Sequence, residues 1–358
     1  MSYKSIDILQ QSLASTIFSA KKDAKKAAGR ALGTIVEIIT YYLLREWGFT
    51  PNIRIETKLP EFGNPEITHN VEFTLHPIIT METRELSKPL TYNMARKLFA
   101  YHPHEIKAGT VIDNNDVIKN SAVLGSDAKS IGICNLSDDK QLIFSLLPLQ
   151  ASAMFECKRV GVEDGQKKGP QTIEKAKQGA YVALKSSSLQ KVRDSEGNIY
   201  GVCFIDGVMH TKKYEEALNM CLQSNVLENF ILSFGIISNH GNWFTSKDMN
   251  KELKVLAQSY DRLLFLTDDG LYSFIEQTIL EPTEEYLPIK NAFIGSYNDG
   301  SKNNTFTKSK ISLDAHLALT KYFHNNISTI ENWFNIIAPD NMTMSELKHQ
   351  LHTLLYKE

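Results

Sequence analysis

The sequence lacks the features that mark a secreted or membrane-bound protein. It has only four cysteines, and they are scattered without the spacing of a zinc site or of a disulfide framework. It has no uninterrupted apolar run of membrane-spanning length, and its first residues lack the hydrophobic stretch of a signal peptide. We therefore expect a cytoplasmic protein with no membrane association.

A large excess of one charge is also missing. The formal net charge is −2 over 358 residues, so the composition does not point to nucleic-acid binding and any basic surface must be local. Hydrophobic residues make up 42% of the chain, which is enough for one large domain or two modest ones.

The most informative segment that is present is a short strand-like run at residues 154–160, where apolar residues flank Glu156 and Lys158. Alternate side chains of a strand point to the same face, so these two side chains should lie side by side. A carboxylate can hold a divalent metal while a neighbouring amine orients an attacking water, which suggests metal-dependent hydrolysis of a phosphodiester. A solvated ion pair on a surface strand is the alternative interpretation.

Two acidic residues upstream could join this pair. Residues 70–76 alternate between apolar and polar side chains, which predicts a half-buried strand with Glu72 on its polar face. Residues 29–44 predict a long helix with an apolar core face and a narrow polar stripe that contains Glu37. Both acids could approach a metal beside Glu156, and both could equally be solvated.

Polar and basic segments supply candidate phosphate contacts. A glycine-rich loop follows the strand, and residues 171–185 after it predict a helix. A second polar and basic stretch at residues 301–310 could contact phosphates or be a plain surface loop. The residues we select as phosphate contacts are Lys167, Lys168, Lys175, Gln178, Lys302, Lys308 and Lys310.

The order of these elements resembles the PD-(D/E)xK nuclease superfamily, and within it the type II restriction endonucleases. A helix with Glu37 is followed by a strand, a strand with Glu72, a strand with Glu156 and Lys158, and another helix. The resemblance implies a restriction-endonuclease-like core of the α/β (α+β mixed) class, with a central mixed β-sheet flanked by helices, insertions and a helical C-terminal region.

The resemblance also implies a role for each site residue. Glu72, Glu156 and the backbone carbonyl of Cys157 would hold Mg²⁺, Lys158 would serve the attacking water, and Glu37 would complete the site as an accessory acid. The family usually has Asp after Pro at the first position, whereas here Glu72 follows Val71. The long interval between Glu72 and Glu156 requires an insertion.

On this resemblance we expect a type II restriction enzyme, which cuts double-stranded DNA at a specific sequence. Restriction sites are usually palindromic, so a homodimer is expected, together with a cognate DNA methyltransferase in the same system. A repair, phage-defence or structure-specific nuclease of the same fold is an alternative, as is an RNA nuclease. A further alternative is a non-catalytic DNA-binding protein in which Glu156 and Lys158 are only structural.

Along the chain, residues 1–28 predict a helical N-terminal arm. Residues 29–230 predict the nuclease-like core, with the insertion at about residues 80–150 and a further core strand at residues 200–206. Residues 231–358 predict an α/β to mainly helical region, either separate or part of the same domain.

Overall fold

The computed structural model describes residues 6–19, 21–84, 111–112, 116–137, 141–159, 179–187, 189–223, 230–238, 256–297, 305–338 and 342–356. Within these ranges the protein is a mixed α/β fold, because a central sheet of mixed strand direction lies between helices on its two faces. The coarse fold class expected from the sequence is therefore confirmed.

The described strands belong to one large sheet and three smaller ones. The central sheet has six strands in the order β1-β2-β8-β12-β13-β15. In chain order the strands are β1 (Ile53–Glu61), β2 (Asn64–Leu75), β3 (Thr80–Arg84), β4 (Val117–Lys119), β5 (Ala122–Ser126), β6 (Ser130–Leu136), β7 (Leu142–Pro148), β8 (Ala153–Arg159), β9 (Gln190–Arg193), β10 (Ile199–Ile205), β11 (Val208–Lys213), β12 (Leu232–Ser238), β13 (Arg262–Leu266), β14 (Lys310–Ser312) and β15 (Phe334–Ala338).

The type of strand pairing changes twice across the central sheet. β1, β2 and β8 are antiparallel neighbours, β8, β12 and β13 run parallel, and β15 is antiparallel to β13. β12 and β13 are mostly apolar and are buried along their whole length, as is typical of parallel strands covered on both faces. Strands from the first and last thirds of the chain therefore form a single sheet.

The helices pack against this sheet from two sides. The predicted core face of α2 (Ala24–Leu44) is buried, and Leu32, Ile35 and Val36 belong to the same core cluster as Phe155. On the opposite face, residues 179–186 and 256–259 are helical and pack in a second cluster. The other helices are α1 (Ile6–Thr16), Tyr214–Gln223, Asp268–Ile275, Leu287–Tyr297, Leu313–Glu331 and Met344–Tyr356, with short helical turns at Arg45–Phe49, Thr50–Asn52, Glu276–Leu280 and Glu284–Tyr286.

Two sequence predictions are corrected by these elements. Residues 200–206 do form a strand, β10, but it lies in a separate three-stranded sheet, β11-β10-β9, and not in the core sheet. The polar face predicted for residues 70–76 is solvent-exposed only at its start, because Asn70 is exposed whereas Thr74 and His76 are fully buried. Within the mainly helical tail, β15 adds an edge strand to the central sheet.

The stretch predicted as an insertion contains β3 to β7 in its described part. β3, β7, β6 and β5 form a four-stranded antiparallel sheet, and β4 pairs instead with β14 from much later in the chain. This second sheet lies between β2 and β8 in sequence, so β2 and β8 can be neighbours in space although far apart in the chain.

One helical stretch, Ala24–Asn52, is long and apolar enough to cross a membrane by length and composition. Its most apolar window is 67% buried inside the fold. Burial of that kind is what the core helix of a soluble globular protein requires.

Candidate active site

The site forms where β2 and β8 separate. Their antiparallel ladder pairs Leu75 with Ala153 and ends at the pair of Phe73 and Phe155. Continuing that register would set Glu72 opposite Glu156, at the point where backbone pairing stops. The two acids predicted from separate parts of the sequence are therefore brought together.

The gap beyond the last pair is bridged by side chains. The backbone N–H of Cys157 donates a hydrogen bond to Oε2 of Glu72 at 3.3 Å, replacing a bond that the ladder would otherwise make. Nζ of Lys158 lies 2.8 Å from Oε1 of Glu72 and 2.8 Å from Oε2 of Glu156. The carboxylate and amine predicted to lie side by side do so, and Glu72 completes a triangle with them.

Burial makes the three charges strongly interdependent. The side chain of Glu156 is 2% exposed, whereas Glu72 and Lys158 retain 13% and 24%. Desolvation, followed by the hydrogen bond with Glu72 and the charge of Glu72, raises the pKa of Glu156 to about 9 against the opposing charge of Lys158. Near neutral pH Glu156 is therefore protonated when the protein is alone, and it shares that proton with Glu72.

The other two groups of the triangle remain charged. Burial by itself would raise the pKa of Glu72, but the hydrogen bond from Glu156 and the charge of Lys158 outweigh it, so the pKa is lowered. For Lys158, desolvation would lower the pKa, but the charges of Glu72 and Glu156 prevail and raise it. Lys158 is an ammonium at neutral pH, so in this state it can orient a water but not deprotonate one.

A tyrosine that the sequence analysis missed covers Glu156. The ring of Tyr260 lies on Gly235 of β12, whose backbone is paired with Glu156, and a Cβ at Gly235 would come within 2.6 Å of that ring. A Cβ at Gly179 would come within 2.3 Å of the Tyr260 hydroxyl and 3.1 Å of Glu156 Cβ. A glycine inside an apolar strand indicates that another group approaches the backbone closely, so Gly235 is the sequence feature from which this contact could have been predicted.

Two buried polar atoms at this point have no partner among the described residues. They are Oε1 of Glu156 and the hydroxyl of Tyr260. A buried polar atom without a hydrogen bond costs about 1–3 kcal/mol. The site therefore keeps an oxygen available for a ligand, because none of the described residues pairs with it.

Glu37 lies beside the triangle but does not join it directly. It projects from α2 and forms an ion pair with Lys308, whose Nζ is 3.1 Å from Oε2 of Glu37 and 2.7 Å from Oε1 of Glu56. Burial raises the pKa of Glu37 against the opposing charge of Lys308, and Glu72 also acts on it electrostatically. The predicted accessory acid is thus near Glu72, with a lysine as its direct partner.

Lys308 was predicted to contact phosphates from a surface loop, and the structure corrects its setting. Its side chain is only 6% exposed, because two glutamates draw it inward over the ring of Phe73. Lys310, two residues on, is exposed at the start of β14. The remaining predicted contacts lie outside the described residues: Lys167, Lys168, Lys175, Gln178 and Lys302.

The donor set fits a hard divalent cation such as Mg²⁺. Glu72 and Glu156 supply carboxylate oxygens, one of them the unpartnered Oε1, and the backbone carbonyl of Cys157 lies on the strand edge that faces β2. In the described part of the chain no group of three or more His, Cys, Asp or Glu side chains is arranged as a metal site. Any metal would therefore rest on two carboxylates and backbone or water oxygens.

Comparisons with protein-family models, with curated proteins and with solved structures found no match to this chain. The functional argument therefore depends on the fold and on the geometry of Glu72, Glu156 and Lys158.

Proposed function

We propose that this protein is a Mg²⁺-dependent endonuclease that hydrolyses phosphodiester bonds of double-stranded DNA at a specific sequence, as a type II restriction enzyme does. The observation that carries the proposal is the triangle of Glu72, Glu156 and Lys158 at the separation of two antiparallel strands. Residues 86 positions apart in the chain meet there through 2.8 Å contacts.

The order of the surrounding elements supports the same proposal. Helix α2 carries Glu37, β1 follows, β2 carries Glu72, and β8 carries Glu156 and Lys158. A helix at residues 179–186 lies between β8 and its parallel neighbour β12 in the chain, with β9, β10 and β11 after it. This is the order on which the resemblance to the PD-(D/E)xK superfamily rests, and the second sheet accounts for the long interval before β8.

Each residue of the triangle has a defined task in the proposed reaction. Glu72 and Glu156, with the carbonyl of Cys157, would hold Mg²⁺, and Glu156 would give up its proton to do so. Bound Mg²⁺ supplies electrostatic stabilisation of the charge that grows on the phosphate and lowers the pKa of a coordinated water. Lys158, fixed by two carboxylates, would orient the attacking water with its ammonium protons.

Two partners follow from the proposed class. A two-fold symmetric DNA site is matched by a homodimer, which would place one triangle on each strand. A cognate DNA methyltransferase in the same system would protect the host sequence. Among the proposed phosphate contacts that the structure describes, Lys310 is exposed.

The test is cleavage of phage-length duplex DNA by the full chain with and without Mg²⁺, beside Lys158→Ala. We expect discrete Mg²⁺-dependent fragments from the wild type and at least a 100-fold slower rate from the variant, in line with the loss of one transition-state contact. Lys321→Ala is the control, because Lys321 is 60% exposed in a surface ion pair with Glu285. Retained cleavage by Lys158→Ala would disprove the assigned mechanism.

Other outcomes of the same assay would support the alternative functions. A smear in place of bands would indicate a nonspecific or structure-directed nuclease of the same fold. Cleavage of RNA in preference to DNA in a direct competition would indicate an RNA nuclease. Intact nucleic acid under all conditions, with unchanged DNA binding by Glu156→Gln, would indicate a non-catalytic DNA-binding protein.

A further inference from the structure

A second lysine is buried beside the triangle, and it comes from much later in the chain. Lys308 lies between Glu37 of α2 and Glu56 of β1. Its segment is fixed by Asn120, whose side chain donates a hydrogen bond to the Lys308 carbonyl at 2.9 Å. The pairing of β14 with β4 begins two residues later. Lys308 is thus positioned by the fold and not by a free loop.

The surroundings of Lys308 are built for a cation. Its Nζ contacts two carboxylates, and it lies 5.6 Å from the centre of the Phe73 ring, whose face attracts positive charge. Glu56 reaches it from a backbone with φ +52°, a conformation that a non-glycine residue adopts only at some cost. Burying an ammonium is unfavourable unless opposite charges surround it, and the two carboxylates supply those charges here.

Each of the two lysines contacts two of the four carboxylates. Lys158 bridges Glu72 and Glu156, and Lys308 bridges Glu37 and Glu56. Phosphodiester hydrolysis often uses two metal ions about 4 Å apart, one on each side of a shared carboxylate. Here Glu72 would be the shared carboxylate, because the charges of both Lys158 and Lys308 act on it, and the Lys308 side chain would fill the second position.

We propose that the Lys308 ammonium takes the place of a second metal ion, so that this site binds a single divalent cation, at Glu72 and Glu156. Glu37 is then the counter-ion that positions Lys308, and not a metal ligand. The inference rests on the proposed nuclease function and adds to it the number of metal ions. It also gives Lys308 a task within the site in place of the surface phosphate contact expected from the sequence.

The test is the number of Mn²⁺ ions bound per chain, measured by calorimetry on the full-length protein without DNA. We expect one ion for the wild type, one for Lys308→Arg, and one for Glu37→Gln. We expect two for Lys308→Met, because the methionine fills a similar volume without charge and leaves Glu37 and Glu56 free to bind a cation. Circular dichroism establishes that each variant is folded. If Lys308→Met does not fold, the numbers of ions bound by the wild type and by Glu37→Gln decide the test.

Two results would overturn the inference while leaving the nuclease proposal in place. One is two ions bound by the wild type, whatever number Glu37→Gln binds, and the other is a single ion bound by folded Lys308→Met. Absence of any Mn²⁺ binding by the wild type, together with intact DNA in the cleavage assay, would remove the proposed function and the inference together.

Discussion

Glu156→Gln should make the protein more stable, and increasingly so as the pH rises. Glu156 has a pKa of about 9 in the folded protein, because of burial and the adjacent Glu72, against the ordinary value of 4.5 for a glutamate in the unfolded chain. Between these two values the folded state keeps a proton that the unfolded chain has released. Stability therefore falls as the pH rises through this window, by about 1.4 kcal/mol per pH unit. Glutamine has the same shape, carries no charge and takes up no proton.

The size of the effect follows from the same slope. Between pH 6 and pH 8 the stability advantage of Glu156→Gln over the wild type should grow by about 3 kcal/mol. The measurement is urea unfolding of both proteins at pH 5.5, 6.5, 7.5 and 8.5 without divalent metal. Glu66→Gln, a substitution on an exposed part of β2, controls for the loss of one carboxylate from the unfolded chain. A stability difference that is the same at every pH would refute the reasoning that Glu156 is buried and protonated.

Two further predictions concern the packing around the site. Gly179→Ala should destabilise the protein by about 1–3 kcal/mol, because its Cβ would come 2.3 Å from the Tyr260 hydroxyl. Gly33→Ala on α2 has open space around its Cβ and should be neutral or stabilising by up to about 1 kcal/mol; equal urea midpoints for the two variants would contradict this. All four cysteines are buried, and burial raises the pKa of Cys157 well above its usual value, so a thiol reagent should modify none in the folded protein and four in denaturant.

Local patterns were sufficient to predict the elements that carry the site. Alternation of side chains predicted β2 and β8, and the 3.6-residue period predicted the core face of α2. The adjacency of Glu156 and Lys158 needed only the two-residue period of a strand. These features depend on neighbours within a few positions, which is why they are readable in one sequence.

What the patterns could not show is which distant segments cover the site. The polar face of β2 looked solvent-exposed because its cover, including Tyr260, is almost 200 residues away in the chain. Lys308 looked like a loop residue because its segment is polar, and the glutamates that bury it belong to α2 and β1. β15 is a five-residue strand between two helices, too short for its period to be distinguished from a helix end.

The backbone of β1 explains why Glu72 is free to leave the regular sheet. The β1–β2 ladder pairs Ile55 with Phe73 and Thr57 with Val71, and it skips the pair of Glu56 and Glu72 between them. Glu56 has φ +52° there. The irregularity directs the Glu56 carboxylate toward Lys308. It also lies opposite Glu72, the residue that faces Glu156, so strain in β1 helps to position the site residues.

This strain can be measured by comparing Glu56→Gly with Glu56→Gln, which both remove the carboxylate. Glycine adopts positive φ freely, whereas glutamine keeps the strain, so Glu56→Gly should be the more stable of the two by about 1 kcal/mol. At Lys58, a regularly paired and exposed position of the same strand, the order should be reversed, with Lys58→Gly less stable than Lys58→Gln by about 0.5–1 kcal/mol. Urea unfolding of the four variants gives both differences. If glycine is the weaker substitution at both positions, the backbone at Glu56 is not strained, and the argument that β1 stores strain to orient Glu56 toward Lys308 is wrong.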